Sequence, residues 1–580
     1  MINPRAPYIL LFVFSLLGSG LFSQVNYYVD ATSGNDTYTG LSLAQAWKTI
    51  QKACNSVPAN SVVQIKGGTY HENLVVNVSG TSGNPIVFRN YQNDSVFIDG
   101  AGTAGTILLQ ITDKNYLTFE NMVFQNLTLN GAQGILAEST VAGTSTGLVF
   151  RKLVIRHINW TASAASIPTS NDNAQALIVY GRDNGLTNLV IDSCRVYSNI
   201  LGFSEAVSID GNVSGFQVSG CQVHDNTNIG ILAAGNYGTC SVPANDHARN
   251  GLIYQNTCSK NVSAYATSAG IYVDGGRSVV VYRNSCSQNG SGIELGCEQS
   301  GTTDSITVKN NLVFNNQYTG LAIGGYDVNT TGQVLNSVVR NNSFFNNNSP
   351  TNNSGEIDMT KASNCVIENN VFYTSSSNTL FTVENISPQT NNTIDYNCWY
   401  TPANDTGSLT VNWRSGGYST FDTYRSGTGM DAHSFYGNPL LNNAVLPAPD
   451  LHLLNASPCV NKGNPLTTSS SGETDYDGNI RIAGGRIDMG AYEFSPVSGV
   501  FEKKFSVSFT VYPNPAADYL FFRTDVTVTG AEVLDTRGKV LFSQKPALNC
   551  ISLSGLSSGV YLLRLVSEEG LSGEAYFVRF

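Results

Sequence analysis

Ser204-Glu-Ala-Val-Ser-Ile-Asp-Gly211, Asn228-Ile-Gly-Ile-Leu-Ala-Ala-Gly235, Ala269-Gly-Ile-Tyr-Val-Asp-Gly-Gly276, Ser291-Gly-Ile-Glu-Leu-Gly-Cys-Glu298, Thr319-Gly-Leu-Ala-Ile-Gly-Gly-Tyr-Asp327 and Ser354-Gly-Glu-Ile-Asp-Met-Thr-Lys361 are variations on one phrase. Each reads as a short strand of period-2 alternation closed by Gly or a polar turn. The first inward residues of the first five are Val207, Ile231, Ile271, Ile293 and Leu321, at steps of 24, 40, 22 and 28 residues. A second phrase, apolar-x-x-Asn-x-apolar-x-x-Asn, interleaves with the first, as in Val281–Asn289, Val308–Asn316 and Val339–Asn347. Its first slots run Cys194, Cys221, Asn256, Asn284, Asn311, Asn342 and Asn370. Asn tolerates a left-handed bend and can hydrogen-bond to an Asn stacked above it. Each repeat is then one coil of at least two strands joined by Asn-rich bends, the pattern of a parallel β-helix.

Length and composition agree. A chain of 580 residues has room for a large core and a further module. Gly 56, charged residues at 13% and aromatics at 10% fit an all-β extracellular protein. The net charge of −11 argues against a nucleic-acid partner, and against a strongly anionic polymer unless a cation intervenes. Residues 1–23 read as a secretory signal, with Arg5 before a short apolar core and cleavage before Gln24. No other run is apolar and long enough to span a membrane. Of the 11 cysteines, Cys258 and Cys286 fall in the inward slot filled by Val223, Val313 and Phe344 in sister coils, so they read as buried thiols. Cys240 is the best disulfide candidate.

A solenoid end exposes its core and needs a cap. Ile50, Ala53, Cys54 and Val57 lie at helical spacing and supply one at the N-terminus. Coils continue to about Tyr400, and 401–450 read as irregular. The phrases Gly34-Asn-Asp36, Ala46-Trp-Lys-Thr-Ile50 and Gly67-Gly-Thr-Tyr70 resemble the opening of secreted right-handed β-helix proteins of the pectate-lyase-like group. Asp475-Tyr-Asp-Gly-Asn-Ile-Arg481 and Gly485–Phe494 resemble their closing segment. There Arg481, Arg486, Asp488 and Glu493 are expected to form ion pairs sealing the C-terminal end. Tyr512-Pro-Asn-Pro515 and the strand Leu556–Leu563 resemble the C-terminal sorting domain of type IX secretion. That resemblance implies a Bacteroidetes-type bacterium, a partner in the type IX machinery, a secreted or outer-membrane surface location, and removal of the module on export. The expected organisation is a signal (1–23), a right-handed parallel β-helix with an N-terminal capping helix (24–495), a linker (496–504) and a small C-terminal β-sandwich (505–580), as a monomer.

Alternation decides which side chains point outward. If Ile271 and Val273 face in, Tyr272 and Asp274 face out, as do Glu294, Asp210 and Glu356, with Glu298, Tyr326 and Asp327 at strand ends. With coils ~4.8 Å apart, these gather on one wall over about five coils. Small residues in other outward slots, among them Ala234, Gly296, Ala322 and Gly324, leave room for a polymer. Each carboxylate alone is most simply a solvated surface group. Their clustering is costly without a ligand, a cation or a raised pKa. Asp274 and Glu294, one coil and two residues apart, fall at the ~5–9 Å separation used in glycoside hydrolysis. The same oxygens suit Ca²⁺, which takes 6–8 oxygen ligands. His224, His247, Arg249 and Arg277 are candidates for contacts with a sugar or a uronate, His247 and Arg249 lying in the insertion behind the 40-residue step. Lys361 reads as a solvated turn residue.

Gly270-Ile-Tyr-Val-Asp-Gly-Gly276 and Gly324-Gly-Tyr-Asp327 look like phrases of carbohydrate-active β-helix proteins near the pectate-lyase group. That resemblance implies β-elimination on a uronate polymer. In such a reaction a cation neutralises the uronate, a base removes the α-proton, and Tyr or His assists departure. The chain lacks the Asp-Asp-Gly-x-Asp calcium cluster of the calcium-dependent branch. A glycoside hydrolase using Asp274 with Glu294 or Glu298 is the second expectation. A non-catalytic glycan-binding or adhesin solenoid is the third.

Overall fold

The computed structural model describes residues 24–325, 330–348, 354–374, 379–402, 409–470, 473–494, 509–524, 526–546, 549–567 and 572–580. The signal segment 1–23, the linker 496–504, and the candidates Tyr326 and Asp327 lie outside them.

Two long parallel sheets wind through the described residues, one of 29 strands and one of 13. A single coil shows the plan. Ala269–Asp274 forms the first face, and Gly275, at φ 77°, turns the chain into Arg277–Tyr282 on the second. An Asn bend leads to Ser285–Ser287 on the third face, and another returns it to Ser291–Gly296. The first two faces share the 29-stranded sheet and the third is the 13-stranded one. The register follows the repeat: Val207 pairs with Ile231, Ile231 with Ile271, Ile271 with Ile293, Ile293 with Leu321, and Leu321 with Ile357. All six are buried in one continuous core. Cys258 and Cys286 stack in that core between Val223 and Val313. All 11 cysteines are free, so Cys240, a buried thiol in its loop, makes no disulfide.

Two columns of asparagine hold the bends. In the first, Asn284 Oδ1 accepts from Asn256 N and Nδ2 at 3.0 Å each, and Asn311 Oδ1 accepts from Asn284 N at 2.9 Å and Nδ2 at 3.0 Å. The pattern continues through Asn342 and Asn370 to Asn397, whose backbone N donates to Ser434 Oγ. Cys221 starts it, donating its backbone N to Asn256 Oδ1. A second column runs Asn199, Asn226, Asn261, Asn289, Asn316, Asn347. The left-handed bend falls on the residue before the ladder asparagine: Arg283, Asn310, Asn315, Asn341 and Asn346 have φ between 53° and 56°. Asn-Asn doublets therefore divide two tasks. The first residue turns the chain and the second bonds to the neighbouring coil.

The second column also explains the Gly-Ile phrase. A Cβ on Gly270 would sit 2.7 Å from Asn289 Nδ2, and one on Gly292 would sit 2.9 Å from Asn316 Nδ2 and 2.2 Å from Val313 Cγ1. Neither glycine has a positive φ, so here glycine serves space. In the last coil of the column Glu356 replaces glycine, and its carboxylate accepts from Asn347 N at 3.0 Å and Nδ2 at 2.7 Å. Glu356 is thus not an outward sugar contact. It is fully buried and terminates the ladder.

Helix α1, Ile50–Ser56, covers the N-terminal end with Ile50, Ala53 and Cys54, as the spacing predicts. The stretch read as irregular contains helix α2, Phe421–Thr428, which covers the other end by packing Phe421 and Tyr424 beside Trp413 and Phe381. The closing segment does not seal that end. It runs back along the third face, where Gly490 N donates to Asn369 O and Ala491 N to Ser343 Oγ. The four charged residues expected to pair with one another bond backbone instead. Arg481 donates to Gly490 O and Arg486 to Gly463 O; Asp488 accepts from Asn461 N and Phe494 N, and Glu493 from Ala483 N and Asp488 N.

The C-terminal module has a three-stranded and a four-stranded sheet around Leu520, Phe522, Val533, Leu563 and Phe577. It rests on the second face, with Val560 and Val578 on Leu252 and Val280 and the Tyr576 ring 4.8 Å from that of Tyr282.

Adjacent residues should answer mutation differently. Asn316→Ala strands buried donors and acceptors in the coil before and takes a donor from the coil after, and is expected to cost about 2–4 kcal/mol. Asn315→Gly keeps the left-handed bend and is expected to stay within about 0.5 kcal/mol. Denaturant unfolding of both variants reads the difference; equal losses would refute the division of tasks.

Candidate active site

The first face carries a cleft of about 490 Å³. Its floor is apolar, with Ile229, Leu232 and Tyr272 in one packed cluster. Three carboxylates, Glu205, Asp274 and Glu298, line it with Tyr237. Register explains the meeting: Leu232 pairs with Tyr272, Tyr272 with Glu294, and Asp274 with Gly296. Gly296 is needed because the Tyr272 hydroxyl lies where its Cβ would be, at 2.7 Å. That glycine makes room for Tyr272 rather than for a polymer.

Asp274 is 1% exposed at the end of its strand. Its Oδ1 accepts from Glu298 N at 2.8 Å, and its Oδ2 bonds the Tyr237 hydroxyl, which also lies 3.3 Å from Glu298 Oε2. One phenol therefore bridges both carboxylates. Tyr237 comes from the insertion 235–248, which Asp246 fastens by accepting from Gly238 N at 2.6 Å and Cys240 N at 2.9 Å.

Burial first, and then the Glu298 charge, pushes Asp274 up to about 8, against the hydrogen bond from Tyr237. Burial and the same neighbouring charge hold Glu205 and Glu294 at about 8. Glu298, at the exposed mouth, is raised by burial. Burial takes Asp210 to about 6, with Thr239 Oγ1 donating to it at 2.9 Å.

Among the sequence candidates, the structure brings Tyr272, Asp274 and Glu298 into the cleft, and Glu294 stands beside Tyr272 one coil on. Asp210 lies on the same face, paired with Tyr180 and Ala234. The basic candidates go elsewhere. His224 ends Gln222–His224 on the third face, stacked on Tyr197 and 2.7 Å from Asp225, because the bend has already turned the chain away. His247 is fully buried, its Nδ1 2.8 Å from Gly275 O. Arg249 fastens the insertion, donating to Asn245 O, His247 O and Asn212 Oδ1. Arg277 opens a second-face strand beside Arg249 and Asp304. Lys361 is buried, donating to Thr331 O at 2.7 Å, rather than solvated.

Sequence reasoning missed Tyr237 and Glu205. The length of the 40-residue step signalled a rim loop but not which residue reaches inward. Glu205 precedes its strand, outside the alternation. Among the described residues, no group of three or more His, Cys, Asp or Glu is arranged to hold a metal ion. Among them also, no helix is long and apolar enough to cross a membrane.

Comparisons place these features among known proteins. Residues 169–333 match the family described as right handed beta helix region, and residues 510–575 match the secretion system C-terminal sorting domain. The sorting domain marks the chain for export by type IX secretion, to the cell surface or beyond. The uncharacterized protein YwoF of Bacillus subtilis (strain 168) is 32% identical over 448 residues, 75% of this chain and 92% of YwoF. Pectate lyase PEL9 of Emericella nidulans is 30% identical over 119 residues, 18% of this chain and 28% of that protein. The crystal structure of pectate lyase Pel9A covers 82% of this chain and 98% of its own, at 16% identity and a TM-score of 0.43.

The raised carboxyls set a pH dependence of stability. Between an unfolded value near 4.5 and a folded value of about 8, Glu294 binds more protons folded than unfolded. Its contribution is therefore lost as pH rises across that window. Glu205 and Asp274 act in the same direction. The melting temperature is expected to be higher at pH 5 than at pH 8.5, and Glu294→Gln should shrink the gap. A melting temperature that rises with pH would contradict the burial of these groups.

Proposed function

We propose the following function on the premise that the chain belongs to the family of Bacillus subtilis YwoF and is a pectate-lyase-like right-handed β-helix with a type IX sorting tail: it is a secreted enzyme that cleaves glycosidic bonds in a polysaccharide by acid–base catalysis. One observation carries the reading. A buried carboxyl, Asp274, shares the hydroxyl of Tyr237 with a second, more exposed carboxyl, Glu298, in an open cleft. Two carboxyls whose surroundings differ in this way divide into an acid and a base.

Asp274, kept protonated near neutrality, gives its proton to the glycosidic oxygen as the C1–O bond breaks, and the bonding pair leaves on that oxygen. Glu298 supplies the carboxylate that meets C1. In the second half, ionised Asp274 takes a proton from water, the water oxygen adds to C1, and Glu298 departs with its bonding pair. Contact of both carboxyls with one phenol favours the closer ~5–5.5 Å spacing of retaining enzymes over the wider ~6.5–9.5 Å of inverting ones. Tyr237 holds the pair in place, and Tyr272 offers a sugar an aromatic wall.

Elimination is the second reading, favoured by the 119-residue likeness to a pectate lyase. It needs a cation beside the uronate and a base. Arg249 and Arg277 stand outside the cleft, which weakens it.

Asp274→Asn is expected to lower kcat by about 10²–10⁴-fold, with circular dichroism and melting unchanged. Unaltered turnover on a polysaccharide panel would remove this site. Wild-type activity should decline as pH rises through about 8, where Asp274 loses its proton. Tyr237→Phe should move that decline to higher pH, because the lost hydrogen bond had favoured the charged form. Products should lack the near-ultraviolet absorbance of an unsaturated uronate.

A further inference from the structure

We infer that the cleft is built for an uncharged sugar, so that the glycan units held against Glu205 and Glu298 carry no carboxylate. This rests on reading the cleft as the active site, and it names the substrate class that the fold alone leaves open.

Every ionisable side chain lining the cleft, apart from the tyrosines, is an acid: Glu205, Asp274 and Glu298. The acids continue outward along the same face, Asp210 on one side and Glu294 and Asp358 on the other. Several basic side chains on neighbouring strands and loops have other tasks. Arg182 Nε is 3.4 Å from Glu138, Arg249 Nη2 donates to Asn212 Oδ1 at 2.7 Å, and Lys361 donates to Thr331 O at 2.7 Å. The segments outside the described residues between positions 326 and 408 contain no Lys, Arg or His in their sequence. Among the described residues, no basic side chain lines the cleft to receive a uronate. A carboxylate brought to ~4 Å of Glu298 would meet like charge in a half-enclosed site where such repulsion is several times its value in water.

What the cleft does offer matches an uncharged pyranose. Its apolar floor, Ile229, Leu232 and the Tyr272 ring, suits the C–H face of a sugar ring. Its rim suits hydroxyls: Tyr237 and protonated carboxyls donate, Glu298 and the Asn228 amide accept. Glu205 makes no hydrogen bond to Tyr237 or Asp274, so replacing it removes no bond that holds the pair, although its charge is felt by both.

The test uses the full-length protein and two arms of purified polysaccharide. One arm is uncharged (xylan backbone, mannan, galactan, arabinan, mixed-linkage glucan, a fucose-bearing glycan). The other bears uronates (polygalacturonate, rhamnogalacturonan, alginate). Products are read by mass and by near-ultraviolet absorbance. Saturated fragments from the uncharged arm, with kcat/KM at least ~100-fold above any uronate polymer, are expected. Glu205→Lys should then narrow that ratio at least tenfold, read as the ratio of kcat/KM between the two arms rather than as the rate on either arm alone. Saturated fragments from the uronate arm would overturn this inference and leave the acid pair standing. Unsaturated uronate ends would overturn both. Cleavage of neither arm would overturn the enzymatic reading and this inference with it. A ratio unmoved by Glu205→Lys would remove Glu205 as its cause.

Discussion

Hydrogen bonding between side-chain amides in successive coils is the constraint on which everything else in this molecule rests. Each ladder asparagine is buried, and each spends its amide on the coil before and the coil after. A buried amide left unpaired is expensive, so the columns fix both the spacing and the register of the bends. Once the bends are registered the strands between them are registered too. Carboxylates more than twenty residues apart in sequence are then delivered to one wall. The glycines of the Gly-Ile phrase belong to the same constraint, since the amides of the second column occupy the space a side chain would need.

Much of this was legible in the sequence, and the failures are instructive. The inward column from Val207 to Leu321 was readable because period-2 alternation and a regular step are local properties that survive without knowledge of the fold. Tyr272 and Asp274 were readable for the same reason, and Glu298 as the polar residue that closes its strand. Glu356 was misplaced because it occupies the slot where the other coils have glycine, and there the relevant neighbour is the asparagine of the next bend rather than solvent. His224 was misplaced because one bend separates it from the wall it was assigned to. Arg249 was read as a contact for a sugar or uronate, yet its guanidinium satisfies loop carbonyls. Tyr237 was not readable at all: where a loop residue points depends on how the loop is fastened, here by the Asp246 carboxylate, and no periodicity records that.

The ends and flanks divide along the same line. The N-terminal cap was visible as helical spacing. The C-terminal cap was hidden in a stretch with few periodic residues, because only Phe421 and Tyr424, one turn apart, are buried in the helix. The charged residues of the closing segment looked like partners for one another. In the folded chain they bond peptide groups, which is what an irregular segment packed on a sheet requires.

The 40-residue step shows how a scaffold of this kind diversifies. The loop that delivers Tyr237 leaves the barrel at the corner between the first and second faces, where neither amide column runs. Evolution can lengthen, shorten or replace that corner without disturbing the stacking that keeps the solenoid upright. A change confined to that corner would reshape the rim of the cleft and leave both asparagine columns in place.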